Sequence, residues 1–247
     1  MTTIEEYNRY GEELETRLGP QTSPIAVKML EKEKDIPAGA MRPKKDQGCH
    51  YAQCQAFSLS RRDRITIAML KEDNWCIGPV MAYGLVPKPD DSAARAAITY
   101  DTFEYGKYIG ILTAPLDKAS FEPDIVIIYC DNNQLRIILL SLKTEERPLI
   151  KSNFFPISCA TAVVPVMLHN EYWINLPDPG EYARALTVAG EMMFSLPGHK
   201  LVEFTQNLRQ FGKNESGFAH EHMMMRSDFP QPDLYKHVFE AWGMDHE

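Results

Sequence analysis

The run Asp124-Ile125-Val126-Ile127-Ile128-Tyr129-Cys130 decides the fold class. It is nearly all Ile and Val, without polar alternation, as expected for a strand covered on both faces. Phe121-Glu122-Pro123 leads into it, and residues 132–143 read as a helix behind it. Further strands are expected at residues 23–30, 64–70 and 108–112, with helices at 51–59 and 76–85. A strand at 150–155, a helix at 159–166, a strand at 172–175 and a helix at 181–194 continue the alternation. An amphipathic helix over residues 3–18, stopped by Gly19-Pro20, opens the chain, and helices at 200–211 and 233–242 close it. Such alternation predicts an α/β fold: a mixed, largely parallel sheet flanked by helices, with a helical C-terminal region. A single domain is expected over residues 1–247, residues 198–247 forming its helical C-terminal extension.

The 247 residues are 44% hydrophobic and 24% charged, an ordinary soluble composition. A net charge of −8 argues against a nucleic-acid surface, which needs clustered Lys and Arg. Arg42, Lys44, Lys45, Arg61, Arg62 and Arg64 are the nearest thing to a basic patch and are expected to be solvated loop charges. No apolar stretch is long enough for a membrane span, and the polar N-terminus has no signal-peptide core. The protein is expected in the cytoplasm, where its five cysteines stay reduced.

Three of those cysteines stand where a loop is expected to become a helix. Cys49 follows Gly48, Cys76 precedes Gly78-Pro79, and Cys159 follows Pro156-Ile157-Ser158. Unpaired N–H groups at a helix start stabilise a thiolate, the form that attacks electrophiles and ligates soft metals. Cys54 is a further candidate ligand, but were residues 49–54 one helix, it would point about 140° away from Cys49. Zinc is a poor match, because no second cysteine pair at finger spacing exists. Trp75 is placed to shield Cys76 from water, and Ala160-Thr161 leave room beside Cys159. Cys130, ending the apolar run, reads as a core cysteine. Each of the others has a packing alternative too, since free cysteines are commonly buried.

His220-Glu221-His222 with Met223 to Met225 resembles a soft-metal patch but lacks metalloprotease spacing. Pro177-Asp178-Pro179-Gly180-Glu181 reads as a segment that caps a helix or lines a pocket.

Ser23-Pro24-Ile25-Ala26-Val27-Lys28, Cys49, Ala56, Trp75-Cys76-Ile77-Gly78 to Gly84-Leu85, and Phe121-Glu122-Pro123-Asp124 recur in a known order. With Ser158-Cys159, Pro179-Gly180 and Glu191-Met192 to Pro197, the chain resembles the domain-of-unknown-function 169 family of uncharacterised ArCR proteins, over roughly residues 3–209. That resemblance implies that Cys49, Cys76 and Cys159 occupy the family's cysteine positions, with Cys54 and Cys130 outside the pattern. Many members carry an acidic residue and an Arg after the glycine; here Tyr182 follows Glu181 and Arg184 comes later.

The chemistry expected is a 4Fe-4S cluster held by Cys49, Cys76 and Cys159, with Cys54 as a further cofactor contact. Three thiolates leave an iron open as a Lewis acid, which suits a lyase or (de)hydratase of anaerobic metabolism; a fourth turns the expectation to an oxidoreductase. A non-catalytic small-molecule-binding module and a metal-free thiol redox protein are the alternatives. The expected partner is a small-molecule substrate, with no nucleic acid and no membrane, and a homo-oligomer is left open.

Overall fold

The strands expected near residues 23–30, 64–70, 108–112 and 124–130 all form, and two more join them in one sheet. The structure, a computed structural model, describes residues 2–96, 98–142, 149–150, 152, 154–213 and 233–244. In chain order the elements are α1 (Ile4–Leu18), β1 (Ile25–Leu30), α2 (Gln53–Ser58), β2 (Ile67–Leu70), α3 (Ile77–Ala82) and α4 (Ser92–Ala96). Then come β3 (Gly110–Pro115), β4 (Ile125–Cys130), α5 (Asn132–Ser141), α6 (Ser158–Thr161), α7 (Val164–His169) and β5 (Trp173–Asn175). The last are α8 (Pro179–Arg184), β6 (Met192–Pro197), α9 (Leu201–Lys213) and α10 (Asp233–Ala241).

The sheet order is β2-β3-β1-β4-β6-β5, and every neighbouring pair is antiparallel. The expectation of a largely parallel sheet is overturned. Strands β3 and β4 do share a direction, but β1 lies between them and runs against both, with Ile25 opposite Pro115 on one side and Ile127 on the other. The strands show no polar alternation because helices cover both faces, a feature usually associated with parallel sheets.

Alternate residues of the central strands feed two cores. Ile25, Val27, Ile125, Ile127 and Tyr129 pack with Phe57, Val80 and Val164 from α2, α3 and α7. On the opposite face Ala26, Leu30, Val126, Ile128 and Cys130 pack with Leu14 of α1, Leu135 of α5 and Phe204 of α9. Burial on this scale is the dominant favourable term in folding.

Residues 181–194, expected as one helix, divide into α8 and β6. Gly190, at φ 89°, turns the chain between them, and β6 then pairs with β4. Residues 150–155 supply no strand among the described positions. Contacts divide the chain into two units, Met1–Asn214 and Glu215–Glu247. Helix α9, assigned by its sequence position to a C-terminal extension, packs on α1 and α5 inside the first unit. The second unit contains α10. Among the described residues no helix is long and apolar enough to cross a membrane.

Candidate functional site

One face of the sheet carries the short helices α2, α3 and α6, and each brings a cysteine to the same place. Cys54 is the second residue of α2, Cys76 is the N-cap of α3, and Cys159 is the second residue of α6. The three line a cavity of about 410 Å³, together with Gln53, Asp178 and Arg184.

Several local devices hold these segments in register. Tyr51 pairs with Asn74 as in a parallel ladder, its N–H donating to Asp73 O (2.9 Å) and its carbonyl accepting from Trp75 N (3.2 Å). Two residues beyond this bridge, Gln53 and Cys76 both line the cavity. The Asp73 carboxylate, fully buried, fixes the turn by accepting from Leu70 N, Lys44 N and Arg42 Nε. Asp178 caps two helices at once: Oδ2 accepts from Ser158 N (2.7 Å), and Oδ1 from Gly180 N (2.6 Å) and Glu181 N (3.1 Å). One carboxylate therefore binds the starts of α6 and α8 together. The 177–181 segment, read as either a cap or a pocket lining, is both.

Gly78 lets α3 approach the segment before α6. A Cβ there would stand 2.9 Å from Ile157 Cδ1, a residue that also lines the cavity. The Cys54 thiol donates to Gly180 O at 3.8 Å. At the rim the Arg184 guanidinium lies 4.8 Å from the centre of the Trp75 ring, a cation–π contact. Gln53 is 0% exposed, and neither its Oε1 nor its Nε2 has a partner. An unsatisfied buried polar atom costs about 1–3 kcal/mol, so such a residue facing a cavity asks for something to fill it.

Burial raises the pKa of both inner thiols. Cys54 is pushed up to about 12 by burial and by the nearby Glu181, with Arg184 acting in the opposite sense. Cys159 is raised well above its ordinary value by burial, then by Cys54 and Glu181. Beneath them Glu181 is pushed up to about 7 by burial, moderated by hydrogen bonds from Thr187 and Tyr129. The Tyr129 hydroxyl donates to Glu181 Oε1 at 3.0 Å, and Arg61 stacks 3.9 Å over the Tyr129 ring while pairing with Glu191 at 2.8 Å.

Cys49 is not among the residues lining the cavity. It sits in a half-buried loop with its thiol directed at Gln47 Oε1, 3.7 Å away. It lies two residues before the bridge between Tyr51 and Asn74, on the side away from Gln53. Cys130 lies on the other face of the sheet, where burial pushes its thiol up to about 12. The structure thus brings together Cys54, Cys76 and Cys159, and leaves Cys49 and Cys130 apart. Gln53 and Arg184 give no local signal in the sequence, because only the meeting of α2 with α8 makes them neighbours.

The basic residues of the 42–64 stretch form no open patch: Arg61 is buried against Glu191, Arg42 bonds Asp73 and Glu72, and Arg64 bonds Glu15 and Asp117. Residues 220–225 lie outside the described residues. Hollows of about 600 Å³ beside Cys130 and 740 Å³ along α1 are larger, but neither is lined by an unpartnered buried polar group. Among the described residues, no three of His, Cys, Asp and Glu are grouped to hold one metal ion.

No curated protein and no solved structure matches the chain. A family model does match, over residues 13–207, most of the first unit and the whole of the cysteine cavity. The chain belongs to the domain-of-unknown-function 169 family, described as uncharacterised ArCR.

Proposed function

We propose that the cavity between α2, α3 and α6 holds a 4Fe-4S cluster on Cys54, Cys76 and Cys159, and that the protein is an enzyme acting on a small molecule beside it. The observation that carries this is the meeting of three thiols, from segments distant in the chain, on one cavity wall. A polynuclear cluster spreads its thiolates over several irons, so it suits thiols contributed by three separate helices. The donor set is soft and thiol-rich, as iron–sulfur chemistry requires.

When bound, a cluster with three protein thiolates keeps one iron open to polarise a substrate oxygen, which favours a (de)hydratase or lyase over simple electron transfer. Arg184 offsets the negative charge that three thiolates bring into the cavity. Trp75 lies against Arg184 beside the cavity. Tyr83 donates to the Cys159 carbonyl and so keeps the α6 start aligned. A cluster must displace protons from Cys54 and Cys159, so its affinity rises with pH.

The same raised pKa values argue against Cys54 and Cys159 as nucleophiles of a metal-free thiol enzyme, since buried protonated sulfurs are poor nucleophiles. All five cysteines are free, in keeping with a reducing, cytoplasmic setting. The test is anaerobic purification and reconstitution, with iron, labile sulfide and visible absorbance measured per chain. About four irons and four sulfides with a brown absorbance shoulder are expected; colourless, iron-free protein after reconstitution would overturn the proposal.

A further inference from the structure

We propose that the cysteine cavity binds a small hydroxycarboxylate, its carboxylate on Arg184 at the rim and its hydroxyl on the Gln53 amide in the wall. This deepens the cluster reading and rests on it for any chemistry that follows, while binding itself is measured separately.

Gln53 supplies the first reason. It is fully buried, lines the cavity, and offers one acceptor and two donors with no protein partner. A hydroxyl both donates and accepts, so it satisfies the two ends of this amide together. A purely apolar ligand would leave both ends unmet.

Arg184 supplies the second. Its guanidinium lies over the Trp75 ring, 4.8 Å from the centre, and forms no ion pair with a carboxylate among the described residues. Gly180 makes room for it, since a Cβ there would lie 2.3 Å from Arg184 Nη2. The fork of N–H donors on a guanidinium matches the two oxygens of a carboxylate. A dianionic phosphate suits the cavity less well. Arg184 is the one Lys, Arg or His residue in the lining, Asp178 stands in the same wall, and the first N–H groups of α8 already donate to Asp178.

The experiment is calorimetric titration of the full chain, cluster-loaded and cluster-free, with malate, lactate, propionate and inorganic phosphate as probes. Iron is counted in the same samples. Malate or lactate is expected to bind at least tenfold more tightly than propionate or phosphate. In cluster-free protein, where the charge of Arg184 has no cluster to offset, Arg184→Gln should weaken that binding at least tenfold. Gln53→Leu should abolish the preference for lactate over propionate without lowering the melting temperature, because it removes polar atoms that lack partners. Binding of neither hydroxycarboxylate, a preference for phosphate, or affinities unmoved by both substitutions would overturn the inference. Iron-loaded protein that binds none of the probes refutes this inference and leaves the cluster standing. Iron-free protein that binds malate through Arg184 and Gln53 does the reverse.

Discussion

The Tyr83 hydroxyl donates to the carbonyl oxygen of Cys159 at 2.9 Å, with both residues buried. Tyr83 is the C-cap of α3, whose N-cap is Cys76, so one hydrogen bond ties together the segments carrying two of the three sulfurs. Tyr83→Phe keeps the ring packing and strands a buried carbonyl. A loss of about 1–2 kcal/mol is expected in urea denaturation, together with lower iron retention after reconstitution.

Replacing cysteines one at a time separates the sulfurs by position. Cys54→Ser, Cys76→Ser and Cys159→Ser should each remove at least half of the reconstituted iron, because each deletes a cavity thiol. Cys49→Ser and Cys130→Ser should leave it unchanged. Iron lost from Cys49→Ser and retained in Cys54→Ser would show that the loop at residues 48–51 supplies the third ligand.

Close approach at Gly78 is tested by adding a methyl group. Gly78→Ala places a Cβ against the Ile157 side chain at 2.9 Å. Overpacking of this kind costs about 1–3 kcal/mol. Adding Ile157→Val should recover part of the loss in thermal denaturation, since it removes Cδ1, the nearest of the crowded atoms, while Cγ2 at 3.0 Å remains.

Arg61 and Glu191 form a buried ion pair at 2.8 Å, with the Arg61 guanidinium also over Tyr129. Arg61→Leu leaves the buried Glu191 carboxylate with only the longer Arg62 contact, at 3.8 Å, to offset its charge, and a cost approaching about 3–5 kcal/mol is expected. The double replacement Arg61→Leu with Glu191→Leu should be the more stable of the two, because no lone charge remains buried. Equal losses in the single and double variants would rule out that electrostatic account.

Glu181 makes stability depend on pH in a defined direction. Its carboxyl titrates at about 7 in the folded protein and at about 4.3 in an unfolded chain. Between those values the folded state holds a proton that the unfolded state has released, so stability falls as pH rises across the window. The contribution is a few kcal/mol and is complete above about pH 7. Glu181→Gln should remove this slope in urea denaturation of cluster-free protein measured from about pH 5 to pH 8.

Hydrophobic patterning carried most of the secondary structure. Residues 124–130 read directly as a fully covered strand, and β4 is buried along its whole length. The helix over residues 3–18 was legible from its apolar spacing and its Gly19 stop, and it forms with a Thr3–Glu6 capping box. Strand β6 was harder to read, because Met192 to Pro197 has no polar alternation and follows a stretch of helical character. Only the open edge of β4 makes it a strand.

For the site, the sequence by itself marked Cys76 and Cys159 as residues at helix starts, because capping and turn signals are local. It also determined that both faces of the sheet are covered, because a strand rich in Ile and Val has nowhere to place water. Strand direction, the choice of Cys54 over Cys49 as the third thiol of the cavity, and the approach of Gln53 and Arg184 were decided only by the tertiary structure. The physical reason is that side-chain burial constrains each segment alone, whereas hydrogen-bonded pairing, such as Tyr51 with Asn74 or Asp178 with two helix starts, depends on which distant segments meet.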